Sequence, residues 1–377
     1  MTHQGVLRAY SRTRAAQPDE SPLATVATQR ARTTHDQVAC ILHAMMNRQW
    51  RLAERPTGAL EARHFRFTEE PVAELAEGEI LVRNVYLSCD PTQRGWLSRD
   101  TYLPAVPIGD VVRANAAGRV VRSRSAAFAE GDLVTGLFGW QDYAVVRASP
   151  GSPTKLSPDV PLELQMSALG ATGLTAYFGL LDVGRPQAGE TVVVSGAAGA
   201  TGSIAGQIAR IKGCRAVGIA GGKDKCDWLT REARFDETID YKNDDVPAKL
   251  RATCPKGIDV YFDNVGGDLL DHALARLALR GRIVLCGGIA SYNDSEPRPG
   301  PKNYLNLIVK RGRMEGFLIL DYLPRAHEAV KELFQWVKDG KLVDRVDVSE
   351  GLETAPDALN RLFSGKNQGK QLVRVSS

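Results

Sequence analysis

The chain has 377 residues, 43% of them hydrophobic and 24% charged, with a formal net charge of +4; this is the make-up of a globular protein long enough for two cores. The mild basic excess is scattered rather than striped along a face, which excludes nucleic-acid binding as an expected role, and no apolar run reaches a membrane span or forms the core of a secretory leader. Six cysteines, Cys40, Cys89, Cys214, Cys226, Cys254 and Cys286, show no CxxC pair and no framework spacing, the pattern of free thiols in a reducing cytoplasm.

Residues 1–45 are polar and lack a sustained apolar period, so they are expected to form a disordered extension. Arg8, Arg12, Arg14, Arg30 and Arg32 hint at a transit peptide, but Asp19, Glu20 and Asp36 interrupt it, and a start at Met45 or Met46 is an alternative. Across 46–165, short strands broken by Gly, Asp and Pro predict a compact β domain, with EILVRNVYLS from Glu79, AGRVV from Ala117 and GDLV from Gly131 as its clearest runs. Residues 166–340 alternate strands with helices, the mark of a parallel sheet with crossover helices. Strands are placed at 191–195, 214–220, 237–241, 258–264, 282–286 and 313–320. The tail, 341–377, stops alternating and is expected to return to complete the β domain.

Residues 190–213, ETVVVSGAAGATGSIAGQIARIKG, order a β-branched run, a glycine-rich turn and a helix with Ile204, Ile208 and Ile211 at helical spacing. That order serves a dinucleotide, whose pyrophosphate approaches backbone N–H groups at a helix N-terminus where any Cβ would hold it off. Gly196, Gly199 and Gly202 make GxxGxxG rather than GxGxxG, because Ala197 stands where a glycine is wanted. Alone, the pattern also fits a structural tight turn. About 20 residues further on, at the end of the second strand, such folds place the residue that meets the ribose. Here the apolar strand CRAVGIA leads into a loop, Gly221 to Lys225, that carries Lys223 and Lys225. An acid at that place would bond the 2'-hydroxyl of NAD; lysines suit a 2'-phosphate, and so NADP(H). Two surface lysines on a solvated loop are the other reading.

LSCDPTQRGW, GLFGWQDYAVV, LGATGLTAY, GAAGATGSIAGQIARIKGC, YFDNVGG, CGGIASYN and GKNQGK follow one another between residues 46 and 377. Together they resemble the zinc-independent branch of the medium-chain dehydrogenase/reductases that holds the prostaglandin, alkenal and curcumin reductases. The resemblance implies an α/β chain with a GroES-like β domain and a doubly wound, parallel-sheet Rossmann domain that binds NADP(H). It implies that Gly199, Ala200, Thr201, Gly202 and Ser203 cradle the pyrophosphate, that Lys225 meets the 2'-phosphate, and that Tyr241 lines the adenosine side. Asn264, the run Cys286, Gly287, Gly288 through Tyr292, and Phe317, Leu318 and Ile319 are implied to line the cofactor toward its nicotinamide. Asn367 is implied to reach it from the tail. A homodimer is implied as well, since RMEGFLILDY reads as a long apolar edge strand of the kind that relatives pair across a two-fold axis.

One departure touches the substrate. The family text after the first long strand is DPYMR, whereas this chain has Asp90, Pro91, Thr92, Gln93 and Arg94, so a pocket-lining tyrosine is replaced by threonine. Tyr292 remains as a phenol near the transferred hydride, either holding the nicotinamide ribose or donating a proton. GLFGW, residues 136–140, predicts an apolar wall for the cleft.

Cys89 stands close to where metal-dependent relatives carry a ligand, but a catalytic zinc takes three protein ligands. None of His3, His35, His43, His64, His272 and His327 follows Cys89 before the dinucleotide domain, so no metal is expected. The Tyr-x-x-x-Lys pair used by short-chain reductases is missing too. The expected activity is reduction of the carbon–carbon double bond of a small hydrophobic α,β-unsaturated aldehyde or ketone. Quinone reduction and a non-catalytic NADPH-binding redox sensor stand as alternatives.

Overall fold

The computed structural model describes residues 45–149, 151–296 and 298–376. The extension expected over residues 1–45 lies, but for Met45, outside them. Both large sheets lie in the compact unit made of Asn47–Glu70 and the chain from Leu75 onward. In chain order the strands are β1 (Met46–Leu52), β2 (Phe65–Pro71), β3 (Glu79–Ser88), β4 (Ala116–Ser123), β5 (Leu133–Gly136), β6 (Tyr143–Arg147), β7 (Thr154–Lys155), β8 (Thr191–Ser195), β9 (Arg215–Ala220), β10 (Glu237–Asp240), β11 (Ile258–Asp263), β12 (Leu277–Leu285), β13 (Arg313–Gly316), β14 (Val346–Glu350) and β15 (Lys370–Arg374). The helices that bear on the site are α1 (Gln93–Ser98), α2 (Ala200–Ile211) and α3 (Lys223–Arg231).

β8 to β13 form a six-stranded sheet in the order β10-β9-β8-β11-β12-β13, with every neighbouring pair parallel. Counted from β8, this is the doubly wound order 3-2-1-4-5-6, and its switch point falls between β8 and β11. The sequence of β8 explains its central place. Val192 and Val194 pack with Ile204 and Ile208 of α2 on one face, while Val193 packs with Val217, Tyr261 and Ile283 on the other. Burying each valine contributes roughly 1.5–3 kcal/mol, so a β-branched run without polar alternation settles where both faces are covered.

The second large sheet has the order β14-β15-β3-β4-β5-β7, with β6 also on β3. Within it β15 runs antiparallel to β3, with Leu372 opposite Ser88. Its core gathers Leu52, Ile80, Val82, Leu87, Trp96, Phe138 and Trp140.

The structure corrects the strand expected over 313–320. β13 stops at Gly316, and a 3-10 turn takes over at Ile319–Arg325. The ring of Phe317 packs so tightly on Gly179 that a Cβ there would lie 2.4 Å from its Cζ, which draws the chain out of the sheet; Pro324 in the turn has no N–H to give a ladder. GLFGW is corrected as well. Phe138 and Trp140 are buried in the β-domain core, and the exposed side chain of that stretch is Leu137.

Candidate active site

Register across the six-stranded sheet sets one row of strand ends. Ile219 of β9 lies beside Ser195 of β8, Val194 beside Phe262 of β11, Asp263 beside Leu285 of β12, and Leu285 beside Gly316 of β13. Gly196, Asn264, Cys286 and Phe317 follow these ends, so segments far apart in sequence leave the sheet together at its C-terminal edge. That edge is where doubly wound folds bind ligands.

The turn after β8 begins at Gly196, whose φ of +58° favours glycine. At Gly202 a Cβ would come within 2.4 Å of the Gly196 carbonyl, so the first turn of α2 can close onto the loop only without a side chain there. Ala197 explains the altered fingerprint. Its methyl is buried against Gly218 of β9, where an added Cβ would lie 3.0 Å away, so it points into the sheet rather than toward a ligand. Gly199 is the N-cap of α2 and brings no side-chain cap, which leaves the first N–H groups of the helix free for an anion. Ala200 and Thr201 are half-buried at this end. Ser203 is turned away: it is buried, and its hydroxyl donates to Ala200 O at 3.2 Å.

The tail closes over the same turn. Gly369 N donates to Ala198 O at 3.1 Å and pairs with Gly199, while Asn367, buried, donates to Gly369 O at 2.9 Å.

At the end of β9 the structure adjusts the reading of the lysines. Gly222, with φ of +95°, caps a helix that starts at Lys223, so both lysines stand on its first turn rather than on a loop. Lys223 is exposed and paired with Asp227 at 2.5 Å, and Asp224 between them is exposed. Lys225 is half-buried, and its Nζ donates to Gly365 O of the tail at 2.8 Å. Burial, then the charges of Lys242 and Arg345, push its ammonium below the usual lysine range; Arg361 adds to this and Asp347 opposes it.

Arg345 lies over the ring of Trp228 at 5.1 Å, and Asp347 is engaged by Arg361 at 2.6 Å. Among the described residues, neither Lys225 nor Arg345 has a carboxylate within ion-pairing range; their polar side-chain contacts are to Gly365 O and to Gln368. Tyr241 covers Gly221 so closely that a Cβ there would lie 2.8 Å from its ring. Sequence reasoning named Lys225 and Tyr241 for this corner but not Lys242, Arg345 and Arg361, the last two because the tail carries no spacing that links it to β9.

At the other end, Asn264 Nδ2 donates to Ser195 O at 2.7 Å, and the loop after β12 hangs from this segment through Ile289 N to Asn264 O at 3.3 Å and Ala290 N to Val265 O at 3.1 Å. Burial pushes the Cys286 thiol up to about 12. The Tyr292 hydroxyl accepts the Gly288 N–H at 3.1 Å, and burial, its largest influence, raises the phenol above its ordinary value. Leu318 and Ile319 follow Phe317 into the 3-10 turn. Cys89 is buried with its thiol pushed up to about 12, and its carbonyl accepts Lys370 Nζ at 3.0 Å. Among the described residues no group of three or more His, Cys, Asp or Glu side chains could hold a metal ion.

Residues 48–153 match a family model described as the N-terminal domain of oxidoreductase, and residues 200–339 one described as zinc-binding dehydrogenase. The NADPH-dependent curcumin reductase of Escherichia coli (strain K12) is 44% identical over 338 residues, 88% of this chain and 97% of the relative. The chain belongs to the medium-chain dehydrogenase/reductase family. Also similar is the 2-alkenal reductase (NADP(+)-dependent) of Nicotiana tabacum, 42% identical over 79% of this chain and 88% of that one. Among solved structures, CurA in complex with NADPH from Vibrio vulnificus matches with a TM-score of 0.83 at 41% identity, covering 88% of this chain and 99% of that one. In this medium-chain dehydrogenase/reductase, Lys370 holds the segment around Cys89: its buried ammonium bonds Asp90 Oδ1 at 2.6 Å as well as the Cys89 carbonyl.

Proposed function

We propose that this protein is an NADPH-dependent, metal-free reductase of the carbon–carbon double bond of α,β-unsaturated aldehydes and ketones. The observation that carries the reading is the cationic corner at the end of β9, where the charges of Lys242 and Arg345 lower the pKa of the Lys225 ammonium while Asp347 is engaged by Arg361. A 2'-phosphate fits there, and the uncapped α2 with its glycine turn fits a pyrophosphate. Relatives named as curcumin and alkenal reductases support the acceptor class.

Bound NADPH supplies the hydride. The residues of this chain do the rest: the N–H groups at the start of α2 hold the pyrophosphate, Lys225 anchors the 2'-phosphate, and Asn264, Cys286 to Tyr292 and Phe317 to Ile319 orient the nicotinamide end. A conjugated carbonyl takes hydride at its β carbon, and charge then collects on its oxygen as an enolate. Tyr292 is protonated at neutral pH as any phenol is, burial raises its pKa further, and since its oxygen accepts from Gly288 its own proton is free to donate.

The domains divide at 46–165 with 341–377, and 166–340, and the protein works as a homodimer. Exposed Tyr304, Leu305, Ile308 and Val309, close in sequence to the edge strand β13, support that pairing. Cys89, Cys214, Cys226, Cys254 and Cys286 are free thiols, which supports a cytoplasmic setting.

NADPH oxidation with a panel of enals, enones and quinones tests the reading. Turnover of enones that survives chelators is expected. Faster turnover of quinones, or NADPH binding with no turnover of any acceptor, would sink it in favour of a quinone reductase or a redox sensor.

A further inference from the structure

Thr92, which stands where the family text has a tyrosine, is already engaged. Its Oγ1 lies 2.7 Å from the hydroxyl of Tyr102. Tyr102 sits on the segment after α1, and its ring meets that of Trp96 edge-on at 6.1 Å and 83°. One side of the phenol is therefore pinned by α1, while the residue as a whole is 45% exposed. This corner of the β domain therefore carries a phenol, supplied by Tyr102.

Two observations aim that corner at the nicotinamide end. Arg94, buried on α1, donates from Nε to Asn293 Oδ1 at 3.1 Å, which ties the helix to the residue next to Tyr292. Tyr102 also belongs to the electrostatic surroundings of Tyr292, where it adds to the raising of that phenol's pKa. Threonine has one proton to give. When Thr92 donates it to the Tyr102 oxygen, the Tyr102 proton is left for a third group, and the phenol keeps it through the neutral range as any phenol does, with burial raising its pKa further.

We propose that Tyr102 is the substrate-facing phenol of the β domain, donating a hydrogen bond to the carbonyl oxygen of the conjugated substrate, with Thr92 as its positioning residue. This rests on the enone reductase reading above. Two phenols then serve the acceptor, Tyr102 from the β domain and Tyr292 from the nucleotide domain.

Tyr102→Phe keeps the ring on Trp96 and removes only the hydroxyl. It is expected to raise KM for enones roughly five- to tenfold, the worth of one neutral hydrogen bond, with KM for NADPH and thermal midpoint unchanged. The affinity of an enone for the protein saturated with NADP+, read by calorimetry, falls by the same factor. Thr92→Val moves enone KM the same way, and adding it to Tyr102→Phe costs nothing further, because the two act as one unit. Thr92→Tyr in the Tyr102→Phe background restores enone binding, which a merely structural pair would not do. An active wild-type protein whose Tyr102→Phe variant keeps its enone KM overturns the inference alone. A wild-type protein that reduces no enone overturns the reductase reading and this inference with it.

Discussion

Lys225 and Gly365 are joined by a 2.8 Å hydrogen bond that runs from an ammonium on the first turn of α3 to a carbonyl of the returning tail. The contact is a weak partner for a half-buried cation that also faces Lys242 and Arg345. A phosphate offers far more. We expect Lys225→Ala to raise KM for NADPH about ten- to a hundredfold, the range for a charge-assisted contact, and to leave KM for NADH nearly unchanged. Equal effects on both cofactors would remove Lys225 from the 2'-phosphate. The pH dependence has a definite sign: burial and neighbouring cations lower the ammonium's pKa, so it loses its proton at lower pH than an ordinary lysine. NADPH affinity is expected to fall on the alkaline side before NADH affinity does.

Tyr292 is expected to be an orienting phenol that also donates. Its oxygen is held by the Gly288 N–H, a bond that Tyr292→Phe breaks together with any proton donation. Loss of a positioned proton donor lowers turnover by roughly 10² to 10⁴; loss of orientation alone lowers it a few-fold. Single-turnover rates separate the two, and a solvent isotope effect that persists in the phenylalanine variant would assign the donor to another group.

Much of the fold that frames the candidate site was legible in the sequence, for physical reasons. β8 reads as a buried strand because three valines in a row pay no polar alternation, and the glycines after it mark backbone that must turn and approach closely. Other features depended on packing that no local pattern carries. FLIL after Gly316 is as apolar as any strand, yet Phe317 finds a place against Gly179 and leaves the sheet. Phe138 and Trp140 resemble cleft residues by type, but the β domain needs them as core. Lys223 and Lys225 look equivalent in text; the helix that starts between Gly222 and Lys223 sends one to Asp227 and the other to the tail. Arg345 and Tyr102 carry no motif, and only the fold brings each of them to its neighbours.

Assembly is tested by the short helix Asn306–Lys310, whose Ile308 and Val309 are exposed at 74% and 65%. Together with exposed Tyr304 and Leu305 they leave large apolar side chains in water within one short stretch, which marks an interaction site. The wild-type protein is expected to be a dimer by light scattering at micromolar concentration. Ile308→Glu with Val309→Lys is expected to yield a monomer that keeps its fold. A wild-type monomer would contradict the pairing.

The last prediction concerns Asp344, where the tail crosses back toward the β domain. Its carboxylate accepts from Ser167, which is fully buried, and burial raises its pKa from 3.8 to about 6. A carboxyl that holds its proton more tightly when folded contributes stability at low pH and loses it as pH rises through the folded value. Stability should therefore fall between about pH 4 and pH 6 on account of this group, by at most about 3 kcal/mol from a shift of this size. Asp344→Asn keeps an acceptor for Ser167 and removes the titration, so that segment of the pH–stability curve is expected to flatten and the variant to match or exceed the wild type at pH 7.5. The comparison is between urea midpoints at pH 4.5 and 7.5. If the asparagine variant is instead less stable at pH 7.5, the ionised carboxylate is needed as a counter-charge for Lys370, which draws its pKa the other way, and the attraction outweighs the cost of burial.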